Sequence, residues 1–236
     1  MKKQKKYSLV CMSLLSTLLA ACGGDNSSAP DEPVDMFDAA IVCPADGMNA
    51  YGEPNRGTFT DVRDGQVYKY TTIGNQVWMA ENLKFDAPYS VCYDKIEGFC
   101  DTFGRFYSLH EDGKDLGVFD QELLATICPA GWHVPSVDEW SVLIIEMGGE
   151  KKALSRLYSS EDFGERFMKS SDDCGFNSLP AGSWLLGGEL ASEYTVSTYW
   201  TSSAQNLQIT YACLFSYGGI TFGVNAPKMT LRCIRN

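Results

Sequence analysis

The chain has 236 residues, a formal charge of −11, 12 % aromatic residues, 22 glycines and nine cysteines. An acidic balance of this size offers no electrostatic footprint for nucleic acid and is repelled by anionic lipid, so neither is expected to bind the folded body. Many glycines and aromatics favour a compact, turn-rich fold over a helical bundle, and no internal repeat at solenoid spacing is present.

The chain opens MKKQKKYSLVCMSLLSTLLAACGGDNSS, with four lysines in the first six residues, an apolar run from Tyr7 to Ala21, and small residues before a cysteine. That order is a secretory signal, too short and wrongly flanked for a spanning helix. Leu19-Ala20-Ala21-Cys22 resembles the lipobox of bacterial lipoproteins, which implies cleavage after residue 21 and lipidation of Cys22. Each buried CH₂ of such an acyl anchor contributes about 0.8 kcal/mol. Removing residues 1–21 deletes four lysines and no acids, taking the charge from −11 to −15. Gly23 after Cys22, by resemblance to lipoprotein sorting in other bacteria, points to the outer membrane or cell surface. The next stretch, 22–56, is small, acidic and proline-containing, and reads as a flexible tether. Residues 57–236 form one domain, long enough for a single core.

In that domain, GTFTDVRDGQVYKYTTIGNQVWMAENL alternates apolar and polar residues around Asp64-Gly65 and Gly74-Asn75. It predicts a three-stranded antiparallel meander. Apolar spacing predicts a helix over 119–127. A second helix follows Pro135, where Ser136 and Glu139 make an S-x-x-E capping box. Trp140, Val142, Leu143, Ile144 and Met147 are its expected buried side, and Gly148-Gly149 its stop. After residue 179, short β-like runs broken by glycine and serine predict further sheet, so the class is α+β.

Cys11 leaves with the signal and Cys22 is the expected anchor. The remaining seven cysteines, an odd number, leave at least one without an intramolecular partner. Cys92 and Cys100 bracket a short loop that a disulfide could close, worth roughly 2–3 kcal/mol. No C-x-x-C occurs and the only histidines are His110 and His133, so neither zinc nor any cofactor is expected.

Six ordered blocks carry a resemblance: FTDVRDGQVYKYTTIGNQVWMAENL, CYD...C...GRFYS, CPAGWHVPSVDEW, GFNSLPAG, YWTSS and LRCIRN. Together they resemble the Fibrobacter succinogenes major paralogous domain family, whose members are secreted or surface-attached and imply no established activity. More distantly, the helix-Cys-Gly-Trp block, the late Trp-Ser strand and the terminal Arg-Cys are similar to C-type-lectin-like domains and the related formylglycine-generating proteins. The lectin-like resemblance implies a long-range bridge from Cys128 at a helix end to Cys233 in the last strand. With those paired, Cys174 is expected to join Cys213, leaving Cys43 in the tether unpaired, and available for an intermolecular bridge if the chain is a structural component.

Cys128 and His133, with Asp138 or Glu139, could make a nucleophile, a base and an orienting acid. Disulfide bonding of Cys128 removes the nucleophile, and no enzymatic reaction is expected. Glu53-Pro54-Asn55 matches the calcium tripeptide of sugar-binding lectins but precedes the domain, and reads as a polar turn; Asp172-Asp173 reads as a solvated turn. Trp184, Tyr194, Tyr199 and Tyr217 are candidate ligand-contact aromatics, because exposed rings on loops stack on sugars. The expected function is an exported, lipid-anchored envelope protein with one extracytoplasmic module binding polysaccharide or an envelope protein. The alternatives are a structural component of envelope or adhesion assemblies, and an enzyme of unknown reaction.

Overall fold

The computed structural model describes residues 35–93, 96–109, 120–159, 171–185, 188–192, 195–206, 209–216, 219–223 and 227–236, with residues 204–206 and 209–212 described by backbone only. The expected meander is present as β1 (Arg56–Thr60), β2 (Val67–Ile73) and β3 (Gln76–Met79), paired antiparallel in sequence order. Alternation places Tyr68 and Tyr70 on the buried side of β2, while Val67 and Lys69 face solvent. The sheet continues through two short strands, β4 (Trp132–His133) and β10 (Ile234–Arg235), in the order β1-β2-β3-β10-β4. The last residues of the chain therefore lie between its first hairpin and its middle.

Around this sheet lie five helices among the described residues. α1 (Ala39–Val42) is capped by Asp38, α2 (Phe99–Phe103) lies between glycines, and α3 (Gln121–Thr126) is capped by Asp120. α4 (Val137–Glu146) starts at the predicted capping box: the Glu139 amide donates to Ser136 Oγ, and Glu139 Oε2 accepts from the Ser136 amide and hydroxyl. Trp140, Leu143, Ile144 and Met147 are buried as expected, whereas Val142 is 45 % exposed because α4 contributes only one flank to the core. Gly148 and Gly149 both adopt φ near +90° and turn the chain directly into α5 (Glu150–Leu157). A Cβ on Gly148 would come within 2.6 Å of Arg156 Nη1, the group that caps α4 by donating to Met147 O at 2.6 Å.

The second sheet region divides in two. β5 (Ser183–Trp184) pairs with β6 (Leu190–Ala191), and β7 (Ser197–Asn206), β8 (Ile209–Ser216) and β9 (Gly219–Gly223) form an antiparallel three-stranded sheet. α4 and α5 pack on this sheet and on the meander through Trp78, Trp140, Phe176, Tyr199 and Phe215. A second core joins Tyr68, Trp132 and Trp200, and a third joins Phe99, Phe103 and Phe106.

Three disulfides brace these cores: Cys43–Cys174, Cys92–Cys100 and Cys128–Cys233. The expected Cys174–Cys213 pair is corrected. Cys174 joins Cys43, and Cys213 is a free thiol with no exposed surface, which also removes the expected intermolecular role of Cys43. Residues 35–56 are likewise no free tether. They belong to the compact unit that begins at Asp35, held by the Cys43 bridge, by Phe37 under the Arg156 guanidinium at 3.9 Å, and by Thr72 donating to Asn55 O at 2.8 Å.

Candidate functional site

The stretch around Cys128 resolves into two structures back to back. Cys128 is committed to Cys233, while Trp132 pairs with Arg235 across the sheet and stacks on Phe59 at 4.5 Å. His133 points the other way: its Nδ1 lies 2.6 Å from Asn236 Oδ1 and its Nε2 lies 2.8 Å from Glu139 Oε1. Burial pushes the Glu139 carboxyl up, but hydrogen bonds from His133 and from the Ser136 amide and hydroxyl outweigh it and hold it at about 2. The bond to Glu139 in turn raises His133 above its ordinary 6.5, against partial burial and with help from Asn236. Both ring nitrogens face acceptors, the geometry of an imidazolium. Ser136 Oγ donates to Glu139 rather than to His133, so the cluster holds a proton and joins the start of α4 to the chain end without presenting a nucleophile to the imidazole.

The tripeptide at 53–55 is spent on the fold. Glu53 pairs with Arg235 at 2.7 Å, and the buried Asn55 amide donates to Asp46 O. Asp172 is not a solvated carboxylate but a half-buried one, at φ +43°, accepting the Asn177 amide at 2.9 Å. Desolvation raises it to about 6, against the pull of that amide and of Arg232 and Arg56. Among the described residues, no three His, Cys, Asp or Glu side chains come close enough to hold a metal ion.

Of the candidate aromatics, Tyr199 is corrected. It is fully buried, stacked on Trp140 at 5.3 Å, with its hydroxyl 2.8 Å from Ser178 Oγ, because its strand position faces α4 and not solvent. Tyr194 and Tyr217 lie outside the described residues, as does the lipidation candidate Cys22. Trp184 is partly exposed and meets Tyr93 edge-on at 6.2 Å and Phe106 at 5.7 Å. Sequence reasoning missed Tyr93 and the neighbouring Tyr89, although their place beside Pro88 and Cys92 in a short loop was a signal for ordered aromatics.

Small antiparallel sheets, short helices and three disulfides define a mixed helix-and-sheet domain of the braced kind. Residues 71–235 match the Fibrobacter succinogenes major domain, and the chain belongs to that family. No curated protein matches it, and no solved structure does.

Proposed function

We propose that the chain is a lipid-anchored envelope protein of the outer membrane or cell surface whose domain is an extracytoplasmic binding module for polysaccharide or a partner protein. The covalent bracing carries this reading. Two bridges join residues 131 and 105 positions apart, and such bonds persist in oxidising compartments outside the cytoplasm. A lectin-like organisation is supported by the Cys128–Cys233 bond, which ties the turn just after α3 to the residue that leads into the terminal strand. Bracing of this kind fixes a scaffold so that its loops can carry the ligand contacts. The lipobox at residues 19–22 supplies the anchor.

Labelling with radioactive palmitate in the native host tests the anchor. Label is expected on the wild-type chain in the membrane fraction and is lost, with release of the chain, in Cys22→Ala; an unlabelled soluble wild type would remove it. Retention of the full chain on immobilised polysaccharides or envelope proteins tests the module, and failure on both would overturn it.

A further inference from the structure

We propose that Trp184, Tyr93 and Tyr89 form a platform for a neutral polysaccharide, on which pyranose rings stack; this rests on the reading of the domain as a binding module and names its site. The platform has a rigid floor. Tyr93 lies edge-on to Phe99 at 5.3 Å and Trp184 packs on Phe106, both floor residues being buried. The Cys92–Cys100 bond clamps the loop that presents Tyr93. Trp184 is held from the other side by Lys228, whose carbonyl accepts its amide at 3.1 Å.

Lys228 also reaches the turn that carries the third ring. Its ammonium donates to Tyr89 O at 3.1 Å, so its side chain bridges from the backbone beside Trp184 to the Tyr89 turn. Tyr89 is 46 % exposed and sits at φ +60°, a conformation that bulky L residues rarely adopt. Glycine would serve the turn without strain, and a solvent-exposed ring kept there against the backbone preference points to use of the ring itself.

The surroundings select the ligand. Near Tyr89, the exposed Asp86 carboxylate is oriented by Arg105 at 2.5 Å, and Ser90 Oγ joins the same network. Flat apolar faces beside planar carboxylate and guanidinium groups match the alternating C–H faces and equatorial hydroxyls of pyranoses. A protein interface of ordinary size buries about 800 Å² per partner over 20–30 residues, whereas the aromatic contacts here come from three side chains. The chain's charge of −11 disfavours anionic glycans, which leaves neutral ones.

The test is affinity electrophoresis of the full, oxidised chain in gels containing barley β-glucan, arabinoxylan or galactomannan, together with pull-down on microcrystalline cellulose. Two variants are compared with wild type. Trp184→Ala removes the indole, with near-ultraviolet circular dichroism checking the fold. Tyr89→Gly removes only an exposed ring while keeping the φ +60° turn. Wild-type retention on at least one glycan is expected, falling about tenfold or more in Trp184→Ala and several-fold in Tyr89→Gly. Retention unchanged in both folded variants would overturn the platform and leave the module reading standing. No retention of wild type on any of these glycans, with Trp184-dependent binding of an envelope protein instead, would overturn the glycan ligand alone. No binding of either kind would overturn both.

Discussion

Arg232 has no exposed surface, yet it carries a guanidinium into the centre of the domain. Asn82 Oδ1 accepts from both Nε and Nη2, and the carbonyls of Phe176 and Asn177 accept from Nη1 and Nη2. The ring of Phe176 lies 4.6 Å beneath the cation, and Asn82 passes the network on by donating to Phe103 O. Arg232→Met fills much of the same space but leaves Asn82 Oδ1 and Phe176 O without their donor. It is expected to cost about 2–5 kcal/mol in chemical denaturation. Arg232→Lys should not rescue it, since an ammonium cannot reproduce the fork; a loss below about 1 kcal/mol in either variant would contradict this role. The nearby Asp172 titrates in the opposite sense from a salt-bridged carboxylate. Its folded value of about 6 lies above the ordinary 3.8, so between those limits the unfolded chain ionises first and stability falls as pH rises. Asp172→Asn keeps an acceptor for the Asn177 amide and tolerates the left-handed turn. It is expected to stabilise the protein by about 1–3 kcal/mol at pH 7 and to be neutral at pH 3.5, as read by melting temperature. His133 acts in the next window. Its folded value is raised above 6.5, so its contribution is complete below 6.5 and is lost as pH climbs through the raised value. Melting temperature should therefore decline from pH 6 to 8.5, and His133→Gln should flatten that decline; an unchanged slope would contradict the imidazolium.

The elements divide by how local their causes are. The capping box of α4 was legible because Ser136 and Glu139 are three residues apart and satisfy each other's backbone, and the meander was legible because alternation and Asp64-Gly65 act within one hairpin. Two elements were not. α5 presents only Ala153, Leu154 and Leu157 to the core, and its charged, lysine-rich remainder hides that stripe behind the double glycine. α1 lies in an acidic, proline-containing stretch whose order comes largely from partners distant in sequence, the Cys174 bridge and Arg156 over Phe37, beside the local Asp38 cap. Parity of the cysteines required an orphan without naming it, and proximity decided: all three of Cys43, Cys174 and Cys213 are buried in one core, but Cys43 is the one that reaches Cys174, leaving Cys213 on β8 as the free thiol. Of the candidate site, Trp184 was legible as an aromatic in a glycine-rich stretch, but its contact with Tyr93 and the Lys228 link to the Tyr89 carbonyl join distant segments and could not be read from spacing. A Cys43→Ala/Cys174→Ala variant is expected to lose about 2–4 kcal/mol, since the bridge restrains a long loop in the unfolded chain. Hydrogen exchange should rise first in 35–43 while β1–β3 stay protected; uniform loss would mean that α1 is not held by the bridge.

At the scale of the molecule, the order β1-β2-β3-β10-β4 makes the chain end a structural centre. Residues 229–234 run buried from the Tyr107 bridge to the pairing with Trp78 and His133, donating and accepting through Tyr107, Leu83, Met79 and Thr198. Every core is touched on the way: Leu231 and Cys233 enter the one around Trp132, Ile234 the one around Trp140, and Arg232 reaches Asn82, which holds the end of α2. A fold closed by β10 cannot complete until that strand is in place, and its long-range contacts are the slow ones to form. Deleting Arg232–Asn236 removes one disulfide partner, the buried guanidinium and the strand between β3 and β4 together. The losses share contacts and do not simply add, but any two of them reach about 5 kcal/mol, comparable to the whole stability of an ordinary domain. The truncated chain is accordingly expected to show no cooperative transition in calorimetry and to expose Cys213 to alkylation without denaturant. In the intact protein that thiol should react only after unfolding. A truncated chain that melts cooperatively with Cys213 still protected would show that the cores close without the terminal strand.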